Sequence, residues 1–412
     1  MKVELWVLGA IVLLALGLLL GIFPHKSSST PTPAQALTPQ AALERLFTVK
    51  PVQSEWFSAQ FLAKVPVPEM EQILSQLEQT LGSYLRVEVN SGGHRGQYLV
   101  IFQKGLVPSN VSLDAQGQFV GLWFFPPQLQ VGSLKKAMVG FKGLPGKVSV
   151  LVLEDGKPRV ALQPAEALAV GSSFKLAVLA ALQEQIEVGQ RSWLDLVRLQ
   201  TASKSLPTGI LQTWPDGTPL TLQTLATLMI SQSDNTAADT LIRTLGQAAL
   251  ARYAGKNQPL LTTREAFVLK DPKNSNLLAQ YLEGNETERE TVLKETASRP
   301  LPPVSLFSKG APVALKVEWF FSVRELCGLM AKVEALPLMS VNPGVADPSQ
   351  WAHLAYKGGS EPGVLNLTTW IQGKEGHAYC VSASWNDDRP LDETRFTMLY
   401  SGLLQVLAGK GS

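Results

Sequence analysis

The sequence predicts an α+β protein with two folded units of unequal size. Near the N-terminus, apolar residues first repeat at helical spacing and then alternate with polar ones, which is typical of a small domain of helices followed by strands. The larger C-terminal region has strand patterns at both of its ends and helical patterns between them, so one sheet should contain strands from both ends. An uncharged stretch, Leu5–Phe23, precedes both units.

Composition excludes several classes of protein. The chain has 412 residues, of which 45% are hydrophobic and 17% charged, as expected of a globular protein with substantial cores. The 36 basic and 34 acidic residues nearly balance, so we expect no extended surface for nucleic acid. The four histidines and two cysteines lack the spacing of a metal site, and we predict neither a metal nor a cofactor. Cys327 and Cys380 could form a disulfide in an exported protein or remain buried thiols. Their spacing in the sequence does not distinguish these two states.

The segment Leu5–Phe23 is long enough to cross a membrane. Its nineteen residues, at about 1.5 Å each, match a hydrocarbon core of roughly 30 Å. A retained signal anchor, a cleaved secretory signal and a buried core helix are the three interpretations, and the length favours the anchor. The small-residue motif Ala34–Ala36 lies far from Phe23, which argues against cleavage. We therefore predict a transmembrane anchor over residues 1–24 and, over residues 25–38, a tether rich in Ser, Thr and Pro.

The first folded unit is expected over residues 39–130. Apolar residues between Pro68 and Gly82 lie at helical spacing, with Pro68 suited to the first turn and Gly82 to the C-cap. No catalytic grouping is visible in this unit, and His94, in a glycine-rich turn, is interpreted as an exposed loop histidine. Alternating patterns predict strands over residues 85–89, 98–102, 111–113 and 119–125.

The second unit is expected over residues 146–412, after a linker over residues 131–145. Its strand patterns stand at both ends, ahead of a last helix. They occupy residues 148–155, 159–163, 364–372 and 378–385, and the helix occupies residues 396–407.

Ser172 and Lys175 form an S-x-x-K element within an apolar helical pattern over residues 167–182. Residues three apart share a face of a helix, so the hydroxyl and the amine can meet. Lys175 is the single charged residue of this pattern. The pattern therefore predicts a buried amine with a lowered pKa that can accept the proton of Ser172. A lysine that extends from the helix end to solvent is the structural alternative.

Two further elements allow both a structural and a catalytic interpretation. Ser233, Asp234 and Asn235 separate two apolar helical patterns, where any one of them could cap the second helix. Lys357 precedes Gly-Gly-Ser360 just ahead of a strand pattern, where it could be a surface lysine beside an ordinary turn. The order S-x-x-K, then S-D-N, then K-G-G along one chain favours the catalytic interpretation of all three.

Because it contains these three motifs in this order, the region after the tether resembles the penicillin-recognising serine hydrolases. It is similar above all to class A β-lactamase-like proteins of the two-domain type found in clavulanic-acid gene clusters. The similarity extends through LPTGILQTWPDGTPLTLQTLATLMISQSDNTAADTLIRTLG and LLTTREAFVLK. It implies a β-lactamase/transpeptidase-like domain in which helices flank an antiparallel sheet beside an all-helical subdomain. It also implies that residues 39–130 form an α+β domain of the steroid-isomerase or polyketide-cyclase type.

The resemblance implies a role for each motif residue. Ser172 would be the nucleophile and Lys175 its base, while Ser233 would pass the proton to the leaving nitrogen. Asn235 would hold the substrate and Lys175, and Lys357 would attract a substrate carboxylate. The backbone N–H groups of Ser172 and of Ser360, next to Gly359, would form the oxyanion hole.

Two positions depart from the pattern of the family. Gly358 stands where the motif has a hydroxyl residue that contacts the substrate carboxylate, and Ser360 is the candidate replacement. The loop that supplies the deacylating glutamate of class A enzymes has no clean counterpart. Glu265 lies at about the right distance along the chain, but it is equally interpreted as a structural partner of Arg264. Without that base, an acyl-enzyme can form faster than it is hydrolysed.

The sequence thus predicts a membrane-anchored, extracytoplasmic serine hydrolase that acts on a small molecule, a β-lactam or a related cyclic amide. The protein would be secreted if the anchor is cleaved. Two alternatives stay open. One is a D-alanyl-D-alanine peptidase or an esterase, acting on cell-wall peptides or small esters, which the missing deacylation motif favours. The other is a penicillin-binding sensor with little turnover, serving an antibiotic response.

Overall fold

The computed structural model describes residues 37–91, 96–129, 131–307 and 310–409. The chain divides into two compact units, Met1–Gln130 and Val131–Ser412. The predicted anchor, nearly all of the tether and His94 lie outside the described residues. Within the described ranges, no helix combines the length and the apolar character that a membrane crossing requires.

Over residues 37–91 and 96–129, the first unit has three α-helices followed by a sheet of five antiparallel strands. The strands are ordered β1-β2-β3-β4, and β5 pairs with β3. The predicted helix begins at Val67 and ends at Leu81, and Gly82 follows it with a φ of +81° that favours glycine. All four predicted strands form, and the third begins earlier than expected, at Gly105. The elements are α1 Pro39–Thr48, α2 Ala59–Leu62, α3 Val67–Leu81, β1 Tyr84–Val89, β2 Tyr98–Phe102, β3 Gly105–Leu113, β4 Phe119–Phe124 and β5 Gln128–Leu129.

The main sheet of the second unit joins its two ends, as the sequence predicts. Its antiparallel strands are ordered β12-β13-β14-β6-β7. Strand β14, from near the C-terminus, pairs with β6 from the start of the unit, with Tyr379 opposite Glu154. Strand β12, at the edge, is the one that borders the site described below. The strands are β6 Lys147–Glu154, β7 Lys157–Leu162, β8 Leu168–Ala169, β9 Leu196–Arg198, β10 Pro219–Thr221, β11 Phe320–Phe321, β12 His353–Glu361, β13 Val364–Gln372 and β14 Ala378–Asn386.

Helix α5, Lys175–Glu187, lies at the centre of the second unit. Its first eight residues, Lys175–Leu182, are all buried. The helices that pack against it are α6 (Leu222–Ser231), α7 (Asn235–Leu245), α8 (Gln247–Leu250) and α12 (Val323–Val333). The predicted helix start at Ala167 is wrong. Leu168–Ala169 forms a short strand, and Gly171–Phe174 forms a 3₁₀ turn that begins at a φ of +49°, a value that helices do not accommodate.

The remaining helices of the second unit surround α5 and the sheet. Within the described residues they are α4 Leu134–Lys142, α6 Leu222–Ser231, α7 Asn235–Leu245, α8 Gln247–Leu250, α9 Thr263–Lys270, α10 Ser275–Glu283, α11 Glu286–Thr296, α12 Val323–Val333 and α13 Glu393–Leu407.

A disulfide joins helix α12 to the sheet. Cys327 on α12 and Cys380 on β14 are bonded, with their Cα atoms 5.9 Å apart and both side chains buried. The pairing that the spacing left open is therefore decided by the packing of α12 on the sheet.

Candidate active site

Lys175 connects the first two motifs. As the first residue of α5 it is fully buried, and its ammonium nitrogen lies 3.1 Å from Ser172 Oγ in the preceding turn. It also donates to Asn235 Oδ1 at 2.7 Å and to the carbonyl oxygen and the hydroxyl of Ser233 at 2.6 and 3.3 Å. Phe174 stacks on Trp319 with ring centroids 4.1 Å apart, which fixes the turn that carries Ser172.

Burial gives the Lys175 amine the properties of a base. It lowers the pKa from the ordinary 10.5 to about 7, although the carboxylates of Asp239, Asp234 and Glu361 oppose the decrease. A large share of the amine is therefore neutral near pH 7. A neutral amine 3.1 Å from Ser172 Oγ can accept the hydroxyl proton and so activate the oxygen as a nucleophile.

Within the S-D-N element, one residue caps a helix and the other two contact Lys175. Asp234 is the N-cap of α7, and its carboxylate accepts from Ala237 N at 2.8 Å and from Ile210 N at 2.7 Å. Asn235 donates from Nδ2 to Leu206 O at 3.0 Å, which turns its Oδ1 towards Lys175. The capping interpretation thus holds for Asp234, whereas the residues on either side of it face Lys175.

Ser233 has a strained backbone that turns two oxygens to the site. Its φ of +55° lies in the left-handed region, which is uncommon for a residue other than glycine. Both its carbonyl oxygen and its hydroxyl oxygen accept hydrogen bonds from Lys175. Strain of this kind persists only where surrounding contacts hold it, and it is common at functional sites.

Lys357 approaches Ser233 from the sheet. It lies within β12 and is only 3% exposed, so the interpretation as a surface lysine beside a Gly-Gly turn is wrong. Its amine donates to Ser233 Oγ at 3.1 Å and to the carbonyl oxygen of Gly358. Burial and the neighbouring Lys175 lower its pKa well below the ordinary value. Because Ser233 Oγ accepts from two amines, its own hydrogen is available to donate to a substrate atom.

Two glycines bring the turn Gly171–Phe174 and strand β12 into direct contact. An ideal Cβ at Gly359 would lie 2.5 Å from Ser172 N and 2.2 Å from Val170 O. An ideal Cβ at Gly171 would lie 3.1 Å from Ser360 N. Without side chains between them, the backbone nitrogens of Ser172 and Ser360 come from two touching segments, as a pair of oxyanion donors requires. Ser360 itself is exposed at the sheet edge.

Glu265 caps a helix. It is the third residue of α9, and its carboxylate accepts from Thr262 N at 2.8 Å in a capping box. Within the described chain its hydrogen-bond partner is Thr262, so the alternative that it pairs with Arg264 is wrong. Arg264 instead donates to Lys204 O and Arg299 O. The role of Glu265 as a deacylation base stays a prediction.

Sequence reasoning missed a buried charge cluster next to Ser360. Lys270, at the end of α9, forms ion pairs with Glu318 and Glu361, and the Lys270 and Glu318 side chains are almost wholly buried. Burial alone would lower the pKa of Lys270, but the two carboxylates outweigh it and raise the pKa above its ordinary value. Burial and the adjacent Glu361 also raise the pKa of Glu318. The position of Glu361, directly after the K-G-G-S motif, was the available signal.

Part of the second unit matches a known family model. Residues 133–298 match the model of a beta-lactamase enzyme family. The matched region contains the S-x-x-K and S-D-N elements and ends before Lys357. The match supports the predicted β-lactamase-like α+β fold of the second unit and a serine hydrolase of that superfamily.

Several solved structures are similar to this chain. A beta-lactamase from Sphaerobacter thermophilus is 18% identical, over 66% of this chain and 95% of its own, with a TM-score of 0.47. PBP-A is 14% identical, over 67% of this chain and 95% of its own, with a TM-score of 0.44. An ancestral class A beta-lactamase is 15% identical, over 66% of this chain and 98% of its own, with a TM-score of 0.46. No curated protein matches the chain.

Proposed function

We propose that the protein hydrolyses a β-lactam or a related cyclic amide through an acyl-enzyme on Ser172. The observation that carries the proposal is that one buried amine, that of Lys175, contacts Ser172, Ser233 and Asn235 together. A serine beside a base of lowered pKa is the general arrangement of a nucleophilic serine enzyme.

The geometry supports the following order of proton transfers. Neutral Lys175 takes the proton of Ser172 as Oγ attacks the substrate carbonyl carbon. The N–H groups of Ser172 and Ser360 stabilise the resulting oxyanion, and each such donor is typically worth about 3 kcal/mol. Ser233 then donates its proton to the leaving nitrogen, which completes the acyl-enzyme.

Lys357 is suited to an anionic substrate. Because burial lowers the pKa of this lysine, a substrate carboxylate placed beside it would raise that pKa again. Binding of the anion would then be coupled to proton uptake by Lys357. This coupling favours substrates that carry a carboxylate near the scissile bond.

A D-alanyl-D-alanine peptidase or an esterase is the second candidate function, with a penicillin-binding sensor as its low-turnover form. The Thr262–Glu265 contact favours these candidates, because the carboxylate expected to activate water is already engaged at the first turn of α9. Acylation would then be fast and hydrolysis of the acyl-enzyme slow.

The test compares Ser172→Ala with Ser173→Ala in the full chain. Ser173 is the matched control because its hydroxyl is buried and has no hydrogen-bond partner within the described residues. Each protein is incubated with a penicillin and a chromogenic cephalosporin, and hydrolysis and intact mass are read together. We expect a covalent adduct and turnover that disappear only in Ser172→Ala.

Each outcome selects one function. Multiple turnovers would establish β-lactam hydrolysis, and a stable adduct with release of D-alanine from a cell-wall peptide would establish the peptidase. A stable adduct with neither activity would indicate the sensor, and hydrolysis of esters alone would indicate the esterase. An unchanged labelled fraction in Ser172→Ala would rule out this serine as the nucleophile.

We also propose that both folded units are extracytoplasmic and held at the membrane by residues 1–24. The Cys327–Cys380 disulfide supports an oxidising compartment, because such bonds persist mainly in exported proteins. Alkylation of the protein directly from cells should find no reactive thiol before reduction. Two alkylated cysteines in the unreduced protein would contradict an extracytoplasmic location.

A further inference from the structure

Position 358 cannot hold a side chain in this protein. Gly358 lies in β12, and an ideal Cβ there would lie 2.2 Å from Tyr356 Oη and 3.0 Å from Tyr356 Cζ. The Leu367 side chain, on the neighbouring strand, would lie at 3.3 Å. The phenol oxygen of Tyr356 therefore stands where the first side-chain atoms of a Ser or Thr at position 358 would be.

The Tyr356 ring is held in this position by a loop that also contacts the S-D-N region. An ideal Cβ at Gly344 would lie 2.5 Å from the Tyr356 ring, so the loop backbone packs directly on the ring face. Asn342 in the same loop donates to Ser231 O at 3.0 Å, two residues before Ser233. The loop thus holds the Tyr356 ring on one side and bonds to the segment that carries Ser233 on the other.

We propose that the Tyr356 hydroxyl is the hydrogen-bond donor for the carboxylate of the substrate, in place of a hydroxyl at position 358. The inference rests on the proposed function and adds the group that selects acidic substrates. Lys357, the next residue, supplies the positive charge for the same carboxylate, and its amine contacts Ser233 Oγ. A phenol and an ammonium donate together to the two oxygens of one carboxylate.

The phenol is well suited to this task because it remains a donor. Burial raises its pKa above the ordinary value of 10.0, so it keeps its hydrogen throughout the neutral pH range. Its ring packs on backbone, so little side-chain freedom is lost when the substrate binds. Ser360, the replacement that the sequence suggested, is exposed at the sheet edge and supplies its backbone nitrogen instead.

The first test measures the preference for an acidic substrate. The rate constant for acylation of Ser172 is compared for benzylpenicillin and for its methyl ester, in the full chain and in Tyr356→Phe. We expect the acid-to-ester ratio to fall roughly ten- to hundredfold, because a hydrogen bond to a charged group is lost. The control is Tyr379→Phe, whose hydroxyl donates to Glu154 at 2.9 Å on β6, and its ratio should match the wild type.

The second test asks whether a hydroxyl at position 358 can replace the phenol. Gly358→Ser alone should collide with Tyr356 Oη and reduce both the thermal midpoint and acylation. Tyr356→Ala should lose the acid preference, and the double variant Tyr356→Ala, Gly358→Ser should regain it. Such a recovery is an interaction between two sites that a double-mutant cycle measures directly.

The outcomes separate this inference from the proposed function. An unchanged acid-to-ester ratio in Tyr356→Phe would overturn the role of the phenol while acylation itself still occurs. Absence of any Ser172 adduct with either compound in the wild type would instead overturn the proposed function. Tyr356→Phe keeps the ring that packs on Gly344, so the first test stands even if Tyr356→Ala fails to fold.

Discussion

The rate of Ser172 acylation should follow the protonation state of Lys175. A lysine with the ordinary pKa of 10.5 is neutral in fewer than about one molecule in a thousand at pH 7. With the pKa lowered to about 7, roughly half of the molecules carry the neutral amine. Burial therefore increases the reactive fraction at neutral pH by a factor on the order of a thousand.

The assay is the rate of labelling by a neutral fluorophosphonate, measured between pH 5.5 and 9.5. We expect the rate to rise about tenfold per pH unit below pH 7 and to level off above it. A neutral reagent is used so that Lys357 and its preference for anions do not enter the profile. Lys175→Met should remove the pH dependence together with most of the labelling.

The variant Asp239→Asn tests directly whether the pKa of Lys175 sets the pH dependence of labelling. Asp239 is fully buried, and its carboxylate makes the largest contribution opposing the decrease in the Lys175 pKa. Burial also raises the pKa of Asp239 to about 7, so the two groups titrate in the same range and influence each other. Its replacement by Asn should move the inflection to lower pH. A flat profile, or an inflection near pH 10 as for an exposed lysine, would refute the assignment of Lys175 as the base.

Two further predictions concern residues that support the site, and one of them has its own control variant. Gly359→Ala should cut labelling of Ser172 by about a hundredfold or more, because its Cβ would displace Ser172 N and the oxyanion donors. Gly328→Ala, in α12 with open space at its Cβ, should be neutral or stabilising by up to about 1 kcal/mol, and equal loss of labelling in both variants would contradict the argument. Lys270→Met should lower the free energy of unfolding in urea by about 3–5 kcal/mol at pH 8.5, because it leaves Glu318 and Glu361 without their cation. The loss should be smaller at pH 6, since the raised pKa of Glu318 lets it take up a proton in the folded state, and equal losses at both pH values would contradict this reasoning.

The motifs show where sequence reasoning succeeds and where it stops. The lone charge in an apolar helical pattern predicted the burial of Lys175, and the structure confirms that burial. Strand β12 was missed because two successive glycines are unfavourable in a strand and read as a turn. Those glycines are in the strand because the Tyr356 phenol and backbone atoms of Val170, Ser172 and Ser173 occupy the space of their side chains.

What the sequence by itself determined is local in origin. The spacing of apolar residues predicted the α+β class and a part of the helices and strands, because each periodicity places one face of an element in the core. The order of three short motifs determined the candidate site and its chemical class.

Only the tertiary structure showed which residue of each motif has a structural role and which contacts Lys175. It selected Asp234 as the cap and turned Ser233 and Asn235 to Lys175, paired Cys327 with Cys380, and put the phenol of Tyr356 in the space beside Gly358. The physical reason is that these contacts join distant parts of the chain. Ser233 lies 58 residues from Lys175 and 124 residues from Lys357 along the chain. A local sequence pattern does not specify where residues so far apart lie relative to one another.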